Sequence, residues 1–146
     1  NQGDVFLNVG FGTGVYDGVK IFDGDLKEFE LADVKILSEK VTLEKGTVNN
    51  GGSNIYELAI QNGAKVVMVA ENTNNNNKEF FEFGVIDNGT DIFHTEYGNV
   101  RTGEQLIVPT FEKTASGFAR VNFDIGSSVT AGHNVVVTIV SNINKK

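Results

Sequence analysis

Between Phe118 and Asn142 the chain reads FARVNFDIG, then SSVTAGH, then NVVVTIVSN. This is an alternating strand, a connection of small residues, and a β-branched strand. In the first run Phe118, Arg120, Asn122 and Asp124 share one side, and Ala119, Val121, Phe123 and Ile125 share the other, so one face is apolar. The second run, Val135 to Val140, is apolar on both sides except at Thr138, the pattern expected of a strand covered on both faces. Two such strands cannot hide their apolar surface alone and need a second sheet against them. The expectation is an all-β chain, an antiparallel β-sandwich of jelly-roll-like character.

At 146 residues the chain has the length of a single domain with a core of its own. Hydrophobic residues make up 40% with 11 Phe, which supplies that core, while one Pro and 17 Gly put the turns on Gly and Asn chemistry. The absence of cysteine removes a disulfide framework, a thiolate metal site and a cysteine nucleophile. A formal charge of −7 argues against nucleic acid, because phosphate contacts need clustered Lys and Arg. The same charge suits a surface that attracts divalent cations. No apolar run approaches the length that spans a bilayer. The chain opens on Asn1 rather than Met, and a matured, secreted protein is the expectation.

Taken in order, DVFLNV from Asp4 to Val9 is a short β run, and Gly10, Gly12 and Gly14 follow it as a joint with access to positive φ. That joint is either a plain loop or a hinge that lets the first strand pair with a neighbouring chain. Its G-x-G-x-G spacing is not a dinucleotide fingerprint. Val15 to Phe22 reads as a second strand with a bulge at Asp17-Gly18, and Asp23 to Glu30 is the most acidic segment. From Leu26 to Leu37 helical and strand spacing compete, and strands are favoured. Asn54–Gln61 and Ala64–Glu71 flank Asn62-Gly63, which predicts a type I′ hairpin. Asn72 to Asn77 reads as a solvated loop, and Asp87 to Asp91 as a second Asn-Gly turn after the strand Glu79–Ile86. Gly103 to Phe111 is a further strand, in which Pro109 belongs at an edge or a bulge. The expected total is nine to eleven short strands.

Catalytic signatures are absent. His94 and His133 lie in no recognisable motif, and neither a G-x-S-x-G elbow nor an H-E-x-x-H pair occurs, so the expectation is a non-enzyme. A two-carboxylate glycosidase stays open on composition alone. The lack of Trp removes the commonest sugar-stacking platform, although Tyr16, Tyr56 and Tyr97 could stack instead. Hard oxygen donors gather twice: Asp17, Asp23, Asp25 and Glu28 in one neighbourhood, Asp87 and Asp91 at a turn. Calcium takes six to eight such oxygens, loop carbonyls included, so both groups are candidate calcium ligands beside the plainer reading of solvated turn acids. Neither completes an EF-hand, and zinc lacks its nitrogen and sulfur donors. Asn88-Gly-Thr90 spells an N-glycosylation sequon, which an Asn-Gly turn explains equally well.

The opening NQGDVFLNVGFGTG, the Asp23-Gly-Asp25 turn and the closing VVVTIV strand resemble the cannula proteins, which build extracellular hollow tubules of hyperthermophilic archaea. The resemblance implies a jelly-roll subunit that polymerises outside the cell, with calcium promoting assembly and a strand donated between subunits. Strand donation is also physically reasonable here. A sandwich short of an edge strand presents unpaired N–H and C=O groups. Residues 4–9 of another copy, delivered across Gly10, Gly12 and Gly14, would fill that edge and bury Val5, Phe6, Leu7 and Val9 on alternate faces. A carbohydrate-binding or adhesin-type sandwich, with polysaccharide as partner, is the alternative expectation.

Overall fold

Period-two alternation in FARVNFDIG produces a strand over Ala119–Ile125 with Ala119, Val121 and Phe123 buried and Arg120, Asn122 and Asp124 on the opposite face. A computed structural model describes this strand and its partners over residues 28–30, 33–46, 54–58, 60 and 62–144. Among the described residues there are nine strands and no helix: β1 (Glu28–Glu30), β2 (Val34–Glu44), β3 (Asn54–Leu58), β4 (Gly63–Asn72), β5 (Lys78–Asp87), β6 (Ile92–Arg101), β7 (Ile107–Lys113), β8 (Ala119–Ile125) and β9 (Asn134–Asn144). They form two antiparallel sheets, a larger one in the order β1-β2-β9-β4-β5-β6 and a smaller one in the order β3-β8-β7. The expected antiparallel β-sandwich is the observed fold. The strands expected at 4–9 and 15–22 lie outside the described residues.

β9 runs in full register between β2 and β4, from Val34↔Asn144 to Glu44↔Asn134 on one side and from Gly63↔Asn144 to Asn72↔Val135 on the other. Its inward residues Val135, Val137, Ile139 and Ile143 meet Leu43, Val66, Met68, Phe81 and Phe83 of the same sheet. Ala119, Val121, Phe123 and Ile107 close the core from the smaller sheet. Phe83 on β5 meets Phe111 on β7 edge to face, with centroids 5.1 Å apart, and so ties the two layers.

Three expectations are corrected. β9 is not covered on both faces: Val136 and Thr138 are half-buried and Val140 is 38% exposed. These β-branched side chains are screened sideways by cross-strand neighbours (Val140↔Val67, Thr138↔Val69) rather than by another layer. The hairpin at Asn62-Gly63 does not form. β3 pairs with β8 in one sheet and β4 with β5 and β9 in the other, the chain crossing between them at buried Ile60. Gly63 lacks the positive φ of a type I′ turn, and the Asn62 carbonyl accepts from the Asp87 N–H instead. Finally, the strand expected from Gly103 begins only at Ile107.

That late start has a cause. Glu79 on β5 is 1% exposed, yet carries a carboxylate into the core. Its Oε2 accepts from the Leu106 N–H at 2.7 Å and the Ile107 N–H at 3.4 Å. Its Oε1 accepts from Asn99 Nδ2 at 3.1 Å, with Arg101 Nε 3.6 Å away. The N–H groups of Leu106 and Ile107 therefore meet a side-chain carboxylate where the chain steps from β6 of one sheet to β7 of the other. The step also presses against Gly126, whose N–H donates to the Leu106 carbonyl at 2.8 Å. A Cβ on Gly126 would stand 1.9 Å from the Gln105 oxygen, so only glycine fits.

Glu79→Gln, which turns an all-acceptor group into one with a misplaced donor, should destabilise the chain by about 1–3 kcal/mol. Gly126→Ala should cost about as much through forced backbone displacement, roughly 1–3 kcal/mol. Urea unfolding of each variant measures this, and a midpoint unchanged from the parent would refute the account.

Candidate functional site

The two layers are unequal, and the inequality leaves a margin. The smaller sheet sets β7 beside β6, so β3 is its far strand, and among the described residues β3 pairs only with β8. On β2 the core-facing residues are Leu37, Val41 and Leu43, one side of the strand by alternation. Leu43 is fully buried, whereas Leu37 and Val41 are only half-buried although they pack on the core. Among the described residues the inner surface of the larger sheet is therefore incompletely covered at β2. The opposite margin is blunted: among the described residues β7 is an edge strand, and it holds Pro109, as expected, so one N–H is missing from it. A cleft of about 550 Å³ lies between β6 and β7, with Phe83, His94, Arg101 and Pro109 among its walls.

The assembly residues expected from sequence, Val5, Phe6, Leu7, Val9, Gly10, Gly12 and Gly14, lie outside the described residues, as do Asp17, Asp23 and Asp25 of the acidic neighbourhood. Glu28 opens β1 and pairs through its backbone with Leu37. Asp87 and Asp91 do bracket a tight turn, in which Gly89 has φ +96°. Its contacts are internal. Asp87 Oδ1 accepts from the Gly89 N–H at 2.7 Å and from Lys113 Nζ at 2.6 Å, and Asn88 Oδ1 accepts from the N–H groups of Thr90 and Asp91. The Asx turn thus accounts for the letters of the sequon. Among the described residues no three His, Asp or Glu side chains gather in a metal-binding group.

A different carboxylate organises a second loop. Asn72 to Asn77, expected as a solvated tract, is hydrogen-bonded throughout: the Asn72 N–H donates to the Asn77 carbonyl, Asn74 Oδ1 accepts from the Asn134 N–H, and Asn76 takes φ +61°. Three of its amides converge on Glu104: Asn75 Nδ2 at 3.0 Å, Asn72 Nδ2 at 3.2 Å, and Asn77 Nδ2. The Asn75 amide, the residue's own backbone N–H and the other two amides hold the Glu104 carboxyl below its usual range, against a smaller opposing effect of desolvation. Composition shows an asparagine run but cannot show that a carboxylate almost thirty residues onward will collect it.

The histidines have structural surroundings. The His94 ring packs on Phe111 with centroids 4.9 Å apart, and His133 Nδ1 lies 3.1 Å from Asn72 Nδ2. Of the three tyrosines, Tyr16 lies outside the described residues, Tyr56 falls within β3, and Tyr97 stands on β6, 71% exposed. Tyr97 is the extra residue of a β-bulge, because Glu82 pairs with Gly98 and Phe83 with Glu96. Nothing in the letters TEYGN announces that bulge.

No family model and no curated protein matches the chain. Among solved structures, the Acinetobacter phage vB_ApiP_P1 tailspike protein is similar over 92% of this chain and 26% of its own, at 15% identity and a TM-score of 0.45. The chain thus spans about a quarter of that protein's length.

Asp87→Asn should lower the melting temperature, since it strips the charge partner from Lys113, a side chain only 18% exposed. Exposed Asp91→Asn should leave it unchanged, and equal effects would contradict the assignment. The lowered carboxyl of Glu104 adds stability above the ordinary carboxylate pKa, lost as pH falls through the depressed value. The melting-temperature gap between parent and Glu104→Gln should accordingly shrink on acidification. A gap independent of pH would refute this.

Proposed function

We propose that the chain is an extracellular structural subunit that assembles head to tail by accepting a strand from the next copy. The reading is supported by the half-buried Leu37 and Val41 on the inner face of β2 and by a β3 margin that has no partner strand among the described residues. A donated segment alongside β3 would extend the smaller sheet by main-chain hydrogen bonds and lay alternate side chains on those two residues. Residues 4–9 suit the task, with Val5, Leu7 and Val9 in phase, and Gly10, Gly12 and Gly14 allow the segment to leave its own domain. Such a contact is heterologous, and repetition of it yields a filament or tube rather than a closed dimer.

Each copy carries a formal charge of −7, so close repetition is opposed by repulsion that a divalent cation relieves. Calcium is the proposed cation, with Asp17, Asp23, Asp25 and Glu28 as its proposed ligands. Asp87 is the weaker candidate of the original set, because Lys113 already neutralises it. The resemblance to cannula proteins points the same way.

Negative-stain electron microscopy with and without millimolar calcium tests the reading. Filaments or tubes should appear with calcium and disperse on chelation. Deletion of residues 1–9 should abolish them while leaving the far-ultraviolet signature of β structure intact. Filaments from the truncated chain would exclude donation by this segment. In a separate measurement, Asp23→Ala with Asp25→Ala should remove any calcium-dependent rise in melting temperature, and an undiminished rise would move the cation elsewhere.

A further inference from the structure

The outer face of the larger sheet carries two cross-strand rows that meet at a shallow depression of about 600 Å³. One row runs Asn144–Gly63–Ile86–Phe93, and the next runs Asn142–Lys65–Gly84–Thr95. Three glycine-related facts shape it. Gly63 and Gly84 have no side chains, which makes the floor. Gly84 is overlain by Tyr97: a Cβ there would lie 2.7 Å from Tyr97 Cε2 and 3.0 Å from its Oη. Gly98, which follows Tyr97 on the same face because of the bulge, has nothing within 4 Å of its missing side chain. The distal half of the Tyr97 ring therefore rests on the sheet, and the rest of it meets solvent.

We infer that this depression is a binding site for a neutral polysaccharide, with Tyr97 as its stacking platform. A pyranose ring presents C–H groups on its faces and hydroxyls around its rim. The site offers the complement: an exposed aromatic ring with Phe93 and Ile86 beside it, bordered by polar groups. Two uncharged amides stand on the border. Asn142 and Asn144 project from β9 on this face and make no side-chain hydrogen bond among the described residues, so each can both donate to and accept from adjacent hydroxyls. The cation at the border is already matched, since Lys65 Nζ lies 2.8 Å from Glu82 Oε1. With that pair closed and a chain charge of −7, neither an acidic glycan nor a nucleic acid is favoured. The volume lies within the usual span of small-ligand sites, about 300–1,000 Å³. Elsewhere on the same face Val69, Val100 and Val140 are exposed without such amides, so the chemistry of the Tyr97 corner differs from that of the rest. This inference is independent of the assembly reading.

Affinity electrophoresis of the full chain, through gels holding soluble galactomannan, hydroxyethyl cellulose or polygalacturonate, tests it. At least one neutral polymer should retard the parent. Tyr97→Ala should weaken that retardation about tenfold or more, as expected for loss of a central aromatic contact. Gly84→Ala removes none of the groups named as touching sugar, but its new methyl must displace the Tyr97 ring. It should weaken retardation as well, with a melting temperature close to the parent's. No retardation by either neutral polymer, retardation by polygalacturonate alone, or equal retardation of parent and Tyr97→Ala would each overturn the inference. So would a loss of self-association in Tyr97→Ala, by analytical ultracentrifugation, when no neutral gel retards the parent, since the face would then receive a second copy.

Discussion

A carboxylate sealed inside the sandwich, that of Glu79, fixes how one sheet becomes the other. A buried charge is tolerated only when its lone pairs are occupied, and here two backbone N–H groups, an amide and a nearby guanidinium surround it. The requirement works in both directions. Leu106 and Ile107 would otherwise bring orphaned donors into the core at the point where the chain changes sheets. Once they are bound, the Gln105 carbonyl is held against Gly126, and the end of β8 is placed relative to the start of β7. Lys45 adds to the same corner by donating from Nζ to the Gly126 carbonyl at 2.9 Å. The corner thus joins β2, β5, β7 and β8 through polar contacts that the apolar core alone would not specify.

How much of this was legible depends on the range over which each feature is decided. Alternation is local, so the apolar face of β8 could be read directly from the letters, whereas β9, apolar on both sides, did not show which of its faces turns inward. The edge position of Pro109 was legible for the same reason, since a missing N–H excludes a central strand whatever the partner. The Asn62-Gly63 dipeptide misled because hairpin chemistry only permits a turn. Here the partners of β3 and β4 are in different sheets, and Ile60 is drawn into the core between them. Glu79 looks like an ordinary polar residue preceding Phe80 and Phe81. Its role exists only when residues 99–107 arrive. The Tyr97 bulge is equally silent, being a mismatch in pairing between β5 and β6 rather than a property of either strand.

The candidate site divides along the same line. The leading segment and the acidic neighbourhood at residues 17–25 were identified by composition and remain a matter of chemistry. What the fold contributes is a small sheet whose β3 margin has no partner strand among the described residues, half-buried Leu37 and Val41 on β2, and a second margin that holds proline. The turn at Asp87 shows that acid content alone does not reveal what an acid is bound to. Two aspartates in five residues read as oxygen donors, whereas one is bound to a lysine of the opposite sheet and the turn saturates its own N–H groups.

β9 is the late strand that occupies the centre of the larger sheet, between β2 and β4. A growing chain must therefore complete β2, β4 and β5 before the strand that unites them is available. Until Asn134 to Asn144 emerges, β2 and β4 each keep an open flank, and their apolar inner faces have no common neighbour. Contacts so distant in sequence make for slow closure and a long exposure of half-built sheet during synthesis. For this architecture the hazard of premature association belongs to the nascent polypeptide, and the arrival of β9 ends it.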